Sequence, residues 1–157
     1  NILADELRKI NNLDISSKEK IYIFVKKYLE NEKAYFGQSS SLKMGIKNSN
    51  SKSSFMFFVA DQPFIRGDTI KGMIKIYKNN PNNIIVASYN GINGNPVIFP
   101  QIFRKQLLKM EGYTGGRLII RSNPDKVLKM EVGCEIELID IDTMEDYEAV
   151  IKEMTAK

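Results

Sequence analysis

Apolar positions along the chain switch repeatedly between a helical period and a strand period, and the switches divide it into elements. Ile2, Leu3, Leu7 and Ile10 fit one face of a short helix, and the β-branched run Ile21-Tyr22-Ile23-Phe24-Val25 then reads as a strand. Leu42, Gly45 and Ile46 recur at helical spacing behind Ser39-Ser40-Ser41, whose hydroxyls suit the free N–H groups of a helix start. Residues 55–60, Phe-Met-Phe-Phe-Val-Ala, are apolar without alternation, which predicts a central strand buried on both faces and closed by Asp61-Gln62-Pro63. Asp68 is expected to cap a helix carrying Ile70, Met73, Ile74 and Tyr77, ended by Asn79-Asn80-Pro81. Residues 84–87 form the next predicted strand.

A turn-rich loop over residues 90–96 is expected to lead to Val97-Ile98-Phe99 and then to an amphipathic helix with Ile102, Phe103, Leu107 and Leu108. Glycines between 112 and 116 break that pattern. Leu118-Ile119-Ile120 read as a short helix before Pro124, residues 127–132 alternate like a half-buried strand, and residues 136–141 read as the last strand. Thr143 followed by Asp146 is a capping-box variant that opens a helix over 145–154. Strands alternating with helices predict a three-layer α/β/α sandwich whose sheet is mostly parallel and Rossmann-like, with one antiparallel strand. A length of 157 residues fits one domain, 1–157, built on a single continuous core.

Composition narrows the chemistry more than the fold. Lys and Arg total 23 against 19 Asp and Glu, a net charge of +4, and the basic residues are scattered rather than gathered on one face, so nucleic acid is not an expected partner. With no histidine and one cysteine, Cys134, the chain lacks the groups for Ser-His-Asp, Cys-His or His-ligated zinc chemistry. Catalysis here must use carboxylates, lysines, arginines, backbone N–H groups and a hard cation. No apolar run approaches the ~20 residues that span a bilayer, and residues 1–6 lack the regions of a signal peptide, so the expected compartment is the cytoplasm, without a membrane partner.

Ligands of open parallel sheets bind at the carboxyl ends of strands, where Asp61 falls. A carboxylate there can offer a hard oxygen to Mg²⁺, itself shared with substrate phosphates, or can simply cap the strand. Asp140 and Asp142 occupy alternate positions of the last predicted strand, so they point to one face and can join Asp61 at a metal or merely end that strand. Spacing by itself leaves both readings open.

Five segments in order change that balance. Tyr35-Phe36-Gly37-Gln38-Ser39-Ser40-Ser41-Leu42-Lys43, Val59-Ala60-Asp61-Gln62-Pro63, Gly91-Ile92-Asn93-Gly94-Asn95-Pro96-Val97-Ile98-Phe99, Gly115-Gly116-Arg117 and Asp140-Ile141-Asp142-Thr143-Met144-Glu145-Asp146 together resemble the molybdenum cofactor nucleotidyltransferases. These are MobA-like NTP transferases with the fold of nucleotide-diphospho-sugar transferases, and the likeness runs from about residue 31 to residue 148. The resemblance implies Mg²⁺ or Mn²⁺ bound by Asp61, with Asp142 and then Asp140 assisting, and catalytic roles for Asp61 and Asp142. It places Gly37, Ser39, Ser40 and Ser41 along the substrate cleft, Gly94, Asn95 and Pro96 on the pterin side, and Arg117 near the nucleotide. The implied reaction transfers CMP or GMP from CTP or GTP to molybdopterin with release of pyrophosphate, and a molybdoenzyme then receives the cofactor. The serine and Asp-Gln-Pro segments look closer to the cytidylyl branch. Asn93, where the loop commonly has arginine, and Tyr113, where aspartate often follows the glycine, depart from the pattern.

Members of that family open with a strand and a loop like Leu-Ala-Ala-Gly-x-Ser-x-Arg-Met-Gly followed by lysine, which hold the triphosphate. The 157 residues contain no such segment, and the likeness begins inside the domain. The expectation is a chain that transfers poorly alone and well with its natural upstream segment. Two other readings stand beside it: a non-catalytic cofactor-binding or chaperone-like remnant of the family, and a nucleotidyltransferase for sugar or polyol phosphates.

Overall fold

The computed structural model describes residues 37–112 and 115–155, and the helix and strand expected before residue 26 lie outside them. In chain order the elements are α1 (Gln38–Lys47), β1 (Phe55–Phe57), α2 (Gly67–Asn79), β2 (Ile84–Tyr89), β3 (Ile92–Phe99), α3 (Arg104–Lys109), α4 (Arg117–Ser122), β4 (Val127–Glu131) and α5 (Met144–Thr155). Single 3₁₀ turns cover Gln101–Phe103, Pro124–Lys126 and Glu135–Leu138.

Side chains alternate across a strand, so an all-apolar strand must feed two cores. β2 does this. Ile84 and Val86 enter one cluster with Ile46 of α1, Leu107 of α3 and Ile119 of α4, while Ile85 and Ala87 enter another with Met73 of α2 and Val132. Helices therefore cover both faces, and the fold is the three-layer α/β sandwich of nucleotide-sugar transferase type. The described sheet has the order β1-β3-β2-β4, with β3 antiparallel to both its neighbours and β4 parallel to β2. β1, β2 and β4 consequently point the same way, and their carboxyl ends lie together at one end of the sheet, beside the start of β3.

Three expectations need correction. The strand expected over 55–60 pairs only through Phe57, because its next partner on β3 would be Pro96, which has no N–H to donate. Among the described residues, the strand buried on both faces is β2, from Ile84 to Ser88, and Met56 and Phe57 of β1 are only half-buried. The loop expected over 90–96 is a tight hairpin: Asn90 and Gly91 both have positive φ, 48° and 79°, as the favoured two-residue turn demands. β3 then begins at Ile92 and bulges between its partners Asn93 and Val97, a stretch that includes the cis Asn95–Pro96 bond. The strand expected over 136–141 is absent. Its first half falls in the Glu135–Leu138 turn, which carries Glu137 into the interior at 1% exposure.

Two helix starts also differ. The serines sit inside the first turn of α1, whose N-cap is Gly37 with φ 97°, and the Ser40 hydroxyl donates back to the Gly37 carbonyl at 3.0 Å. α2 begins one residue before Asp68, which pairs with Lys71 on the surface and caps nothing. The Lys71 ammonium, as hydrogen-bond donor and as a charge, holds the Asp68 carboxyl below its ordinary value. The expected capping box is present in full: Asp146 accepts from the Thr143 hydroxyl and amide, both at 2.8 Å, and its own amide donates to the Thr143 hydroxyl at 3.1 Å. No helix among the described residues is long and apolar enough to cross a membrane.

Close packing fixes the turn before α4. A Cβ on Gly116 would stand 2.7 Å from Cζ of Phe99, a ring 2% exposed in the core and flanked by Phe57 and Phe103. Gly116→Ala is therefore expected to cost about 1–3 kcal/mol of stability, the usual range for overpacking, read as a lowered urea midpoint. A midpoint equal to that of the unsubstituted protein would show that the ring yields freely.

Candidate functional site

The loop after β1 and the loop after β4 meet at the carboxyl end of the parallel strands, where four hydrogen bonds join them and a fifth ties the second loop to the first turn of α2. The Ile141 amide donates to the Asp61 carbonyl at 2.8 Å. The side-chain nitrogen of Gln62 donates to the Leu138 carbonyl at 3.0 Å and to Oδ1 of Asp140 at 2.7 Å. Glu137 accepts from the Arg66 amide at 3.1 Å and from the Thr69 hydroxyl at 2.5 Å, so it serves the start of α2 as a cap supplied from a distant loop. The Gly133 amide, at 3.2 Å, occupies the other oxygen of Glu137.

These bonds set the acidic residues. Asp61 is exposed in the turn after β1, with its backbone against Ile141; Asp140 and Asp142 flank Ile141 and are exposed as well. The Asp142 amide donates to the Asp146 carboxylate at 3.2 Å, which anchors its backbone to the start of α5. The Thr143 hydroxyl first, and then the Thr143 amide, hold the Asp146 carboxyl below its ordinary value, and the charged form suits a helix N-terminus. Among the described residues no three Asp, Glu or Cys side chains gather closely enough to enclose a metal ion. The donors are all hard carboxylate oxygens facing solvent, a set that fits Mg²⁺ or Mn²⁺ completed by water and phosphate rather than a closed protein cage.

The remaining expected site residues fall into two places. Gly94 lies in the bulged part of β3, so near Leu138 that an added Cβ would come within 2.9 Å of its Cδ1. Gly94, half-buried Asn95 and buried Pro96 thus border the same junction as Asp61 and Asp140. Gly37 and Ser39 are buried at the start of α1, where the Ser39 amide donates to the Gly112 carbonyl at 3.2 Å. That contact ties the serine segment to the glycine-rich turn before exposed Arg117; Ser40 is half-buried and Ser41 exposed. Tyr35 and Phe36 lie outside the described residues.

Sequence reasoning missed Gln62 and Glu137 as organising residues. Gln62 is an uncharged residue between Asp61 and Pro63 that no local pattern distinguishes, and its 6% exposure marks it. Glu137 had one available signal, a lone charge among Ile136, Leu138, Ile139 and Ile141. Cys134 is half-buried, and its thiol lies 4.0 Å from Glu137 Oε1. Cys134→Ser is expected to leave nucleotide binding unchanged and to shift stability by under about 1 kcal/mol, checked by nucleotide titration and urea unfolding. A large loss of binding would give this thiol a role in the site.

A family model described as MobA-like NTP transferase domain matches residues 18–127. Among solved structures, the chain is similar to Rv0371c from Mycobacterium tuberculosis H37Rv, with a TM-score of 0.68 and 18% identity over 97% of this chain and 84% of that one. It is similar to the manganese complex of Rv0371c, with a TM-score of 0.69 and 18% identity over 97% and 87%. A homologue from Mycobacterium sp. strain JC1 has a TM-score of 0.63 and 22% identity over 76% of this chain. The present chain spans 59% of that homologue's length. At these identities the structures support the fold alone. No curated protein matches the chain.

Proposed function

Because this chain belongs to the MobA-like NTP transferase family and carries its nucleotidyltransferase domain, we propose that it transfers CMP, or else GMP, from the corresponding triphosphate to molybdopterin. The observation that carries the reading is the 2.8 Å bond from the Ile141 amide to the Asp61 carbonyl, which sets two acidic segments side by side where such sheets bind ligands. In the reaction a phosphate oxygen of molybdopterin attacks the α-phosphorus of the nucleotide. The bond from that phosphorus to the bridging oxygen breaks, and pyrophosphate leaves.

Asp61 is the principal candidate for holding Mg²⁺ or Mn²⁺, with Asp142 and then Asp140 assisting; the manganese bound in the Rv0371c complex agrees with this choice of ion. Such an ion supplies charge neutralisation to the phosphates and a fixed template for them. The chain's own work is placement. Gly94, Asn95 and Pro96 shape the acceptor side next to Leu138, while Gly37, Ser39, Ser40 and Ser41 line the approach to the cleft, with Arg117 available to a phosphate. Carboxylates holding a cation, with backbone N–H groups and Arg or Lys facing the phosphates, meet the demands of such a transfer, and no imidazole is required. The cytidylyl preference follows from the Gln-Ser-Ser-Ser and Asp-Gln-Pro segments. A cytoplasmic setting, with a molybdoenzyme receiving the product, completes the proposal.

The acceptor is tested by offering the full-length protein molybdopterin, sugar 1-phosphates and polyol phosphates in parallel with CTP and with GTP, and identifying products by mass. The expected product is a molybdopterin nucleotide, formed faster from CTP. A nucleotidylated sugar or polyol as the main product would retain the chemistry and overturn the acceptor.

A further inference from the structure

Gln62 is buried to 6% exposure, yet its amide group reaches between two segments of chain far apart in sequence. A primary amide nitrogen carries two hydrogens, and both are committed here, one to the Leu138 carbonyl and one to Oδ1 of Asp140. The orientation of the amide is thereby fixed, since the flipped form would set its carbonyl oxygen against a carbonyl and a carboxylate. Asp140 itself is exposed, and its carboxylate has this one hydrogen bond among the described residues. Without Gln62, nothing else described would hold that side chain in one rotamer.

We infer that Gln62 is a positioning residue: it grips one oxygen of Asp140 so that the other is presented to the divalent cation proposed at Asp61. The inference rests on the proposed site. The neighbouring bonds separate placement from mere stability. Thr69 and Arg66, through Glu137, fasten the same two loops without touching an acidic residue of the site. Among the described residues, Gln62 alone joins the fastening to the carboxylate of a proposed ligand, since the Ile141 amide meets only the backbone carbonyl of Asp61. Outer-shell donors to a metal-binding group typically influence metal affinity by about 10–100-fold.

The test uses the full-length protein and Mn²⁺–CTP, with affinity read from water-proton relaxation and folding from thermal melting. Gln62→Met, of similar length and without a donor, should weaken binding about 10–100-fold. Thr69→Val should lower the melting temperature and leave affinity unchanged. In a double-mutant cycle Gln62→Met and Asp140→Ala should be non-additive, the pair losing no more than Asp140→Ala alone. Full additivity, or unaltered affinity in Gln62→Met, would overturn the inference. If Gln62→Met does not fold, Asp140→Ala decides, because unchanged affinity after removal of that exposed carboxylate overturns the inference equally. Failure of the unsubstituted protein to bind Mn²⁺–CTP or Mn²⁺–GTP overturns the reading of the whole site, a different result from binding that ignores Gln62.

Discussion

Replacing Asp61 by asparagine in the full-length protein is expected to lower nucleotidyl transfer by at least about 10²-fold, the scale of losing one preorganised charge-stabilising group, while the fold survives. The separation follows from what the residue touches. Its backbone carbonyl receives the Ile141 amide, a bond that asparagine keeps, and its side chain is exposed. Exposed substitutions of this kind usually alter stability by no more than about 0.5 kcal/mol. Asparagine is nearly isosteric but uncharged, so it removes the property a cation and a polyphosphate require and little else. The checks are an initial rate of transfer and a melting curve on the same preparation. Near-normal turnover, or unfolding together with the loss of activity, would remove Asp61 from the centre of the account.

A second large effect is expected at Glu137, this time on stability. The side chain is 1% exposed and accepts from the Arg66 amide, the Gly133 amide and the Thr69 hydroxyl. Glu137→Ala strands three donors and opens a cavity. Each donor left unsatisfied in the interior costs about 1–3 kcal/mol, tempered where water can enter, so a loss of about 3 kcal/mol or more is expected in urea unfolding. The start of α2 should be the first region to lose amide protection, because Glu137 supplies its cap. A loss below about 1 kcal/mol would mean that water replaces the carboxylate easily and that the junction of the two loops is held elsewhere.

The contrast between these residues explains what could be read from sequence. The elements that were legible are governed by neighbours in the chain: Ile70 and Met73 on the buried face of α2, the apolar run Ile84 to Ala87, and the reciprocal bonds of Thr143 and Asp146. The misread elements are governed by distant partners. β1 stops where it does because Pro96 on another strand cannot donate, and residues 136–141 turn inward because Thr69, 68 positions away from Glu137, donates its hydroxyl to that buried carboxylate. No local period encodes either fact. The Asn-Gly hairpin was visible as a turn, but not the continuation of β3 through Gly94 and Asn95.

The candidate site divides along the same line. Asp61 at the end of an apolar run, and the Asp140 to Asp146 segment before a capped helix, were both available to inspection. Their adjacency was not, since it depends on the Ile141 amide meeting the Asp61 carbonyl and on Gln62 reaching Asp140 across 78 positions. A buried glutamine next to an aspartate can be a core residue, a substrate contact or a brace, and only the partners of its two hydrogens distinguish these roles.

The central claim is nucleotidyl transfer, and the fate of the two ends of the triphosphate tests it most directly. Full-length protein, Mg²⁺ and molybdopterin are incubated with CTP, and in parallel with GTP, labelled at the α-phosphate in one sample and at the γ-phosphate in another. Transfer predicts α label joined to the pterin and γ label recovered as pyrophosphate, in equal amounts. Label confined to unreacted CTP, or γ label released as inorganic phosphate while the pterin stays unlabelled, in the GTP samples as well, would contradict it.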